Sequence, residues 1–454
     1  MLDKNTIILN QLAQGRAELV GYSRFLSNQK IKTGSLIDSA VDRCSGLVED
    51  KHVLVLNDTT EFNFEDHINF LDRQDQHLGP TGNNVDIGFF LHPGLVLDAE
   101  QGMGLGFSYI KIWNRQYDKL DKEERNYKHQ PIEEKESYRW IECGLESKKN
   151  LKAARHITLI ADRESDIYQE FVSIPDNKTD LIIRSCQNRK LHDSDLNLYE
   201  TLAQTDLSGQ YLLKVRANRK GKRQGRETEI EIRYRKVKIK KPNRGLKKDN
   251  PLPDYVELYA VEAKEKQAHV PAGEKPICWR LLTTHSVNTL EDAQQIISWY
   301  AMRWQIELLF GTLKSKGLNM EASEVESGKG LKNLCLIGLQ IALKINQLSQ
   351  GRENESERSA EISFTQKQIV VLKALVNRYE GKTEKQKNRF KEGTIAWAAW
   401  VIARMGGWKG YASESKPGNK TMRIGLNQFE GIYIGWNLAQ KICAKFHPIY
   451  IPSN

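Results

Sequence analysis

The chain has 454 residues and a mass of 52.1 kDa, enough for two or three domains with a large buried core. It carries 68 Lys and Arg residues against 58 Asp and Glu residues, and this net charge of +10 favours a polyanionic partner. Six scattered cysteines without a C-x-x-C pair argue against a zinc site or a disulfide framework. The lack of an 18-residue apolar run or a signal-like N-terminus argues against a membrane protein. These features predict a soluble cytoplasmic protein.

The first 190 residues predict an α/β layer that follows a helical N-terminal segment. Residues 1–50 have the polar character of a helical segment that contacts DNA or forms a plain surface. Short apolar runs predict strands and one charged stretch predicts a helix; the strands are at 53–56, 87–97, 107–113, 156–160 and 181–184, and the helix is at 133–147. The glycine-rich segment 102–106 resembles a phosphate-binding loop, but it leads into a strand and is therefore interpreted as a bend in the sheet. Strands mixed with helices indicate an α/β fold.

Two aspartates end predicted strands. Asp58 follows the first strand, and Asp162 follows the fourth and opens a helix predicted to continue to about residue 172. Because strand ends on one edge of a sheet converge, these carboxylates can meet one from a packed helix. Each also has an ordinary interpretation, since Asp58 suits a turn and Asp162 suits a helix N-cap.

After about residue 190 the pattern becomes that of a β-rich insertion, which we place at about 190–285. Apolar and polar residues alternate in several strands, and the alternation slips before Val237, which predicts a β-bulge. The stretch 214–248 carries 16 basic and three acidic residues. Such a run is either a solvated edge protected against aggregation or a surface for phosphate groups. Trp279 lies in the last predicted strand, 278–283, where core packing is its ordinary role.

A helix predicted over 298–316 carries the most informative pattern. Thr289, with Asp292 three residues later, supplies an N-cap signal ahead of it. At about 100° per residue, four polar residues share one narrow stripe: Tyr300, Arg303, Glu307 and Lys314. An acid beside two cations and a phenol suits a divalent metal next to a phosphate backbone, although such a stripe is more often a solvated helix face. The apolar stripe is expected in the core: Ile296, Trp304, Leu308, Phe310 and Leu313.

An apolar-periodic helix at 331–348 is followed by a mainly helical C-terminal domain at 360–454. A capping box of Thr365 and Gln368 begins one helix, and residues 395–405 predict another. Five aromatic residues of this region would expose a large apolar surface if it stood alone: Trp397, Trp400, Trp408, Tyr433 and Trp436. We therefore expect the domain to pack on the rest of the chain and to form a self-association face.

Three carboxylates can thus meet at one edge of the sheet: Asp58, Asp162 and Glu307. They would raise each other's pKa unless cations intervene. An all-oxygen ligand set suits Mg²⁺ or Mn²⁺, which keep bound waters and bind phosphates. Two such ions about 3.5–4 Å apart can activate a water or a 3′-hydroxyl and stabilise the leaving oxygen of an in-line displacement. The residues therefore predict metal-dependent chemistry on phosphate esters.

Three motifs together resemble those of the DDE transposases of the insertion-sequence-four family. They are Asn57-Asp58-Thr59-Thr60, Ala161-Asp162-Arg163-Glu164-Ser165-Asp166 and Tyr300-x2-Arg303-x3-Glu307-x6-Lys314. The spaced set on the helix, after two strand-end aspartates, is the specific part of this match. The resemblance covers most of the chain, from Tyr22 to Trp408. It implies a ribonuclease-H-like catalytic domain at 51–348, interrupted by the β insertion, and a C-terminal dimerisation domain.

The resemblance also implies roles for individual residues. The metal-binding catalytic triad, holding two Mg²⁺ (or Mn²⁺) ions per active site, corresponds to Asp58, Asp162 and Glu307. The residues that grip phosphates near the cleaved end correspond to Tyr300, Arg303 and Lys314. Trp279, 21 residues before Tyr300, matches a tryptophan on which a flipped-out base stacks. Arg184 and Trp304 match DNA-contacting positions less closely.

The reaction implied is cut-and-paste transposition. Water nicks one strand at each element end, the freed 3′-hydroxyl forms a hairpin, a second water opens it, and the 3′ ends join target DNA. The implied partners are double-stranded DNA, both element ends and target, and a second copy of the chain in a paired-end complex. The implied setting is the bacterial cytoplasm, in association with the nucleoid and without a membrane.

One departure from the family pattern leaves alternatives open. The family's end-recognition domain precedes the first aspartate by more chain than the 57 residues found here, so we expect a shortened N-terminal DNA-binding segment. A truncated, catalytically silent chain could act as a regulator that dimerises with full-length copies. A different ribonuclease-H-type nuclease is a further alternative, although it needs neither the Tyr-Arg-Lys stripe nor the stacking tryptophan.

Overall fold

The structure is a computed structural model, which describes residues 7–13, 15–72, 74–82, 86–117, 130–215, 217, 223–243, 252–314, 317–352, 358–411 and 414–445. Within these residues one mixed β-sheet forms the centre, and helices contribute to a hydrophobic core on each of its faces. The α/β class predicted from the sequence is confirmed. None of the described helices combines the length and the apolar character needed to span a bilayer.

The strands are β1 (His52–Asn57), β2 (Thr60–Asn63), β3 (Gly79–Pro80), β4 (Ile87–Asp98), β5 (Gly104–Trp113), β6 (His156–Ala161), β7 (Thr179–Arg184), β8 (Gly209–Val215), β9 (Arg226–Lys240), β10 (Tyr255–Glu265) and β11 (Cys278–Thr283). The α-helices are α1 (Leu9–Leu12), α2 (Arg16–Ser27), α3 (Thr33–Ser45), α4 (Arg139–Asn150), α5 (Tyr168–Ser173), α6 (Leu198–Ala203), α7 (Leu290–Ala301), α8 (Trp304–Leu313), α9 (Gly328–Gly351), α10 (Gln366–Tyr379), α11 (Ile395–Met405) and α12 (Asn419–Lys445). Short 3₁₀ turns connect several of these elements.

The sheet changes from parallel to antiparallel on both sides of its middle. β1 and β7 both run parallel to β6, which lies between them. β4 runs antiparallel to β1 and also pairs with β2 and β5. Beyond β7 the sheet continues antiparallel through β11, β10 and β9 to β8. The strands of the predicted β insertion therefore extend the central sheet itself.

β9 crosses from one hydrophobic core to the other. Ile230 and Ile232 are buried on the face that α7, α8 and α9 cover, whereas Val237 and Ile239 are buried on the opposite face. The pairing of β9 with β10 nevertheless runs without a register shift from Ile230 to Lys240. The prediction of a β-bulge is therefore wrong. The apolar alternation shifts because the buried face of this continuous strand changes, and no residue is inserted.

The C-terminal helices pack on the body of the protein. Trp397 and Trp400 of α11 are buried in the same core as α8 and α9. α11 contacts α9, α10 and α12. The capping box of Thr365 and Gln368 begins α10, as predicted. The aromatic residues of α11 thus gain their burial from within the chain, as expected.

Three predicted helices differ from those observed. The helix predicted at 133–147 begins at Arg139, after two 3₁₀ turns. The helix predicted to follow Asp162 is a 3₁₀ turn at Arg163–Ser165 and then the separate α5. The helix predicted at 298–316 is broken between α7 and α8. Trp304 and Leu308 are 59% and 48% exposed and do not lie in the core, in contrast to our prediction, because they lie on the other side of α8 from the buried Phe310 and Leu313.

Candidate active site

Asp58 and Asp162 lie at the same edge of the sheet. Leu56 of β1 pairs with Ile160 of β6 in parallel register, so the residues two positions further leave the sheet side by side. The Asp58 carboxylate accepts a hydrogen bond of 2.8 Å from its neighbour's backbone amide, and the Asp162 carboxylate accepts one of 2.9 Å from the amide of Glu164. Asp162 is therefore also an N-cap, which was its ordinary interpretation. The structure brings the two strand-end aspartates together.

Glu307 reaches this edge from α8. The capping box of Thr289 and Asp292 begins α7 as predicted, and the chain then breaks before α8. Gln305 Nε2 donates a hydrogen bond of 2.9 Å to the carbonyl oxygen of Gly102, which ties the first turn of α8 to the turn between β4 and β5. Gly102 has φ +65°, a conformation that favours glycine. The glycine-rich segment is thus the predicted bend, and it also positions α8.

Arg303 connects two of the three carboxylates. Its Nη1 donates to Oδ2 of Asp58 at 2.8 Å, and its Nη2 donates to Oε1 of Glu307. The side chain is only 16% exposed. A guanidinium presents several donors in a rigid fork, so a single side chain can hold two carboxylates in a fixed relation. Arg303 therefore joins the end of β1 to α8.

Negative charge at this edge exceeds what one guanidinium balances. The pKa of Asp58 is raised to about 6: burial raises it most, Arg303 opposes the rise, and Asp162 adds to it. A carboxylate paired with arginine usually has a lowered pKa, so the raised value indicates that burial and the second aspartate dominate. Additional positive charge at this place would stabilise the ionised form of Asp58.

Three carboxylates are a suitable donor set for hard divalent cations such as Mg²⁺ or Mn²⁺. Among the described residues, only one group of three possible ligands has its ligand atoms within 4.8 Å of one another, and it is a different group: His156, Asp180 and His285. At the Asp58 edge the guanidinium of Arg303 lies between two of the carboxylates. The donor chemistry therefore fits divalent ions, and an ion shared by Asp58 and Glu307 requires Arg303 to move aside.

A buried polar network supports the loop that follows β1. The Thr59 hydroxyl lies 2.9 Å from Nδ1 of His92 and accepts a hydrogen bond of 2.8 Å from Nε of Arg139. Nη2 of Arg139 also donates to Glu164 at 2.6 Å, two residues after Asp162. This network fixes the positions of the turns that carry Asp58 and Asp162 relative to each other. Neither Arg139 nor His92 lies in a sequence motif, and only their positions on α4 and β4 bring them here.

Tyr300, Trp279 and Arg184 form a second cluster beside the carboxylates. The rings of Trp279 and Tyr300 meet edge to face with centroids 5.2 Å apart. The Arg184 guanidinium donates to the carbonyl oxygen of Cys278 at 3.0 Å and also interacts with the phenol of Tyr300. Burial raises the pKa of Tyr300, so its hydroxyl keeps its proton near neutral pH.

Trp279 lies between two cavities of different character. The first has a volume of about 460 Å³ and a strongly basic lining that includes Arg163, Arg184, Arg223, Lys275 and Arg280. The second, of about 370 Å³, is mostly apolar and lies between α7 and strands β8 to β11; its lining includes Tyr211, Leu213, Ile230 and Ile297. One face of the cluster is therefore suited to phosphate groups and the other to a flat apolar group.

Two sequence-predicted residues lie away from this cluster. Lys314 pairs with Glu321 at 3.2 Å, and its ammonium group lies 5.2 Å from the ring centroid of Phe62. Trp304 is exposed at the beginning of α8. Tyr300, Arg303 and Glu307 thus face the sheet edge, and Lys314 lies two turns beyond Glu307 at the end of α8, as its spacing predicts.

More than half of the described cations in the basic stretch around β9 are neutralised within the fold. Five of its described cations pair with carboxylates: Arg226 with Glu265 and Glu274, Arg233 with Glu231, Lys236 with Glu257, Lys238 with Asp193, and Lys241 with Asp254. The acids come mainly from neighbouring strands and loops, which a count within 214–248 could not include. This pairing favours the interpretation as a solvated, charge-balanced edge for these residues.

The profile of the transposase DDE domain matches residues 117–343, which is half of the chain. The chain belongs to the DDE transposase family. The match contains Asp162, Trp279 and Glu307, whereas Asp58 precedes it. Asp58 is joined to the matched part of the transposase by the pairing of β1 with β6 and by Arg303. Transposases bind DNA, and DDE transposases generally use divalent metal ions.

The raised pKa of Asp58 predicts a pH dependence of metal-supported activity. Below about pH 6 a proton binds this carboxylate in competition with a cation, so we expect DNA cleavage at limiting Mg²⁺ to fall about tenfold per pH unit. More Mg²⁺ should move this loss of cleavage to lower pH. Cleavage rates from pH 5 to 8 at two Mg²⁺ concentrations test this, and a profile independent of Mg²⁺ would contradict it.

The effect of pH on folding stability has the opposite sign. Because the pKa of Asp58 is higher in the folded protein, its ionised form opposes folding above pH 6, and this free-energy penalty disappears as the pH falls towards the ordinary value of 3.8.

Proposed function

We propose that this transposase moves an insertion sequence by a metal-dependent cut-and-paste reaction, as in the insertion-sequence-four family and in the transposase of the bacterial transposon Tn-five. The observation that carries the proposal is the meeting of three chain segments at one sheet edge. Asp58 and Asp162 end paired strands, and Arg303 ties Glu307 to the first of them. We also propose a ribonuclease-H-like catalytic core for the strands around β1 and β6.

In this proposal Asp58, Asp162 and Glu307 hold two Mg²⁺ or Mn²⁺ ions. Bound there, the ions supply Lewis acidity and a nucleophilic water or 3′-hydroxyl for in-line attack on a phosphodiester. Tyr300 donates a hydrogen bond to a phosphate oxygen, because its phenol stays protonated. Arg303, released from the carboxylates it bridges, offers its fork to the same DNA strand. We assign Lys314 to a more distant phosphate, since it lies further along the chain.

The hairpin step requires a distorted DNA end, and the surroundings of Trp279 support a role in holding it. The indole lies at the border of a basic and an apolar cavity. A flipped-out base could stack on it while Arg184 and its basic neighbours contact the adjoining phosphates. Stacking of one base on an aromatic ring stabilises a complex by roughly 1–3 kcal/mol. The ring contact with Tyr300 would keep the indole in place for this role.

We expect Trp279→Ala to reduce hairpin formation roughly 5- to 150-fold while the first nick proceeds at the wild-type rate, because only the hairpin needs the extruded base. Trp279→Phe should recover part of the loss. Separate quantification of nicked and hairpin products on denaturing gels measures both steps. Trp304→Ala is a useful comparison: as an exposed DNA contact it should weaken binding without a selective loss of hairpins. Equal loss of nicking and hairpin formation in Trp279→Ala would instead indicate that Trp279 only packs against Tyr300.

The surface of α12 supports self-association. Ile434, Leu438 and Ile442 are 66%, 57% and 47% exposed and lie at successive four-residue intervals on one side of the helix. An exposed apolar stripe of this kind marks an interaction surface, and a second copy of the chain would cover it in a paired-end complex. Sedimentation velocity over a range of concentrations, with and without end DNA, tests this. A monomer under every condition would contradict it.

Incubation of the purified transposase with duplexes that carry the ends of its element tests the main proposal. The ends can be identified as inverted repeats that bracket the gene. Nicked, hairpin and target-joined products that require Mg²⁺ or Mn²⁺ would support cut-and-paste transposition. Binding without cleavage would favour the silent regulator. Hydrolysis of RNA–DNA hybrids without strand joining would favour a nuclease of another kind.

A further inference from the structure

A second cluster of polar side chains lies at the opposite end of the parallel strands. His156 begins β6, Asp180 is the second residue of β7, and His285 follows β11. Asp58 lies six residues after His52, the first residue of β1, so about 20 Å of extended strand separates this edge from the candidate active site. The proposed transposition chemistry does not use these residues.

Three possible ligand atoms converge in this cluster. Oδ2 of Asp180 lies 2.9 Å from Nε2 of His156 and 3.3 Å from Nδ1 of His285. One possible ligand atom from each of the three residues lies within 4.8 Å of those of the other two. The side chains are 26%, 19% and 16% exposed in the order His156, Asp180, His285, so the group is largely buried but open to a small ion.

Neighbouring hydroxyl groups orient the ligands. The Thr284 hydroxyl donates to the other carboxylate oxygen of Asp180 at 2.6 Å, which leaves Oδ2 directed at the two rings. Nε2 of His285 lies 2.8 Å from the Thr158 hydroxyl, and Nε2 of His52 lies 2.9 Å from the same oxygen. Hydrogen bonds of this kind fix the ring orientation and tautomer of metal-binding histidines.

We propose that His156, Asp180 and His285 bind one transition-metal ion, with Zn²⁺ as the best fit. Two imidazoles and one carboxylate are typical Zn²⁺ ligands at about 2.0–2.2 Å, which places ligands of a tetrahedral ion about 3.4 Å apart. The two separations from Asp180 are 2.9 and 3.3 Å, so small movements of the side chains admit the ion. A water completes the tetrahedron from the open side. The mixed nitrogen and oxygen ligands distinguish this site from the all-oxygen site at the other edge, which suits Mg²⁺.

The site would connect the sheet to the helix that carries Tyr300. Trp299 of α7 packs against the rings of His52 and His285, with centroids 4.9 and 5.2 Å apart. An ion bound at His285 therefore fixes the ring on which α7 rests. The ion thus has a structural role, holding β6, β7 and the segment after β11 together beneath α7.

The alternative is a metal-free network in which both imidazoles donate to Asp180. Burial lowers the pKa of His285, so this ring is neutral near neutral pH and can offer a lone pair to a metal. The metal-free network needs no ion, so a measurement of Zn²⁺ binding distinguishes it from the proposed metal site. The prediction against a zinc site rested on the scattered cysteines, whereas these ligands come from three separate segments without a recognisable spacing.

The full-length protein, stripped of metal by chelation, should be titrated with Zn²⁺ and with Co²⁺ in excess Mg²⁺. We expect about one Zn²⁺ per chain, a visible absorption spectrum of tetrahedral Co²⁺, and a rise in the thermal unfolding midpoint. His285→Gln and Asp180→Asn should each weaken Zn²⁺ binding at least about 100-fold. Glu307→Gln should bind Zn²⁺ as the wild type does, which separates this site from the candidate active site.

His192→Gln is a matched control, since His192 is exposed and stacks on Tyr255 away from the cluster. It should bind Zn²⁺ normally. If His285→Gln fails to fold, Asp180→Asn decides the question, because asparagine keeps an acceptor for Thr284 and loses the anionic ligand. Failure of the wild type to bind Zn²⁺, or unchanged affinity in the cluster variants, would overturn the proposal.

Discussion

Glu307→Gln is expected to abolish metal-dependent cleavage of DNA, with a loss on the order of 10³-fold or more. The substitution keeps the size and a hydrogen-bond acceptor for Arg303, but it removes the negative charge through which this residue would hold an ion. Loss of a metal's stabilisation of the transition state costs several kcal/mol, and each 1.4 kcal/mol is a factor of about ten in rate. Single-turnover nicking of an authentic end at saturating protein measures the effect.

Two comparisons make this result specific. Glu291→Gln alters an exposed glutamate in the first turn of the preceding helix and should leave cleavage within about twofold of the wild type. Binding of end DNA by Glu307→Gln should persist, because the residues that we propose to contact phosphates are unchanged. Cleavage by this variant near the wild-type rate would remove Glu307 from the proposed catalytic group.

Arg303→Ala is expected to destabilise the metal-free protein by about 3 kcal/mol, because it leaves two partly buried carboxylates without their shared cation. The pKa of Asp58 should rise further, since the charge that opposes its rise is gone. Mg²⁺ or Mn²⁺ should restore much of the lost stability, as the ion supplies positive charge at the same place. Thermal unfolding with and without the ions measures this.

The informative quantity is the difference between the variants in their response to metal. Arg303→Lys keeps one positive charge but cannot bridge both carboxylates, so it should fall between the wild type and Arg303→Ala. The metal-induced increase in unfolding temperature should be largest for Arg303→Ala. An equal increase in all three proteins would mean that the ion does not bind where Arg303 lies.

The sequence was most informative where local pattern and chemistry coincide. The apolar runs before Asp58 and Asp162 identified two strands, and parallel register alone then places both aspartates at one edge. Helical spacing correctly put Arg303 and Glu307 on one side, because four residues make about one turn. Lys314 follows Glu307 by two turns at the end of the same helix, and its pairing with Glu321 depends on a tertiary contact that spacing does not contain.

Other features depend on tertiary contacts that no local pattern contains. Arg139 supports the site from α4, and its partners Thr59 and Glu164 come from two other segments. The basic stretch around β9 has acidic partners, such as Glu265 and Glu257, on the neighbouring strand β10. The local sequence does not contain these partners, so it could not show that they neutralise part of the stretch. The shift in the apolar alternation along β9 arises because its first half is buried on one face of the sheet and its second half on the other.

The continuity of the sheet has a consequence for how this transposase can change over evolution. Trp279 lies on β11, which pairs directly with β7, and β7 pairs with β6, the strand that Asp162 follows. Because side chains alternate along a strand, gain or loss of one residue within β11 would turn Trp279 to the other face of the sheet. Insertions can accumulate in the connecting loops, whereas a change of length within β6, β7 or β11 would disturb its pairing with the neighbouring strand.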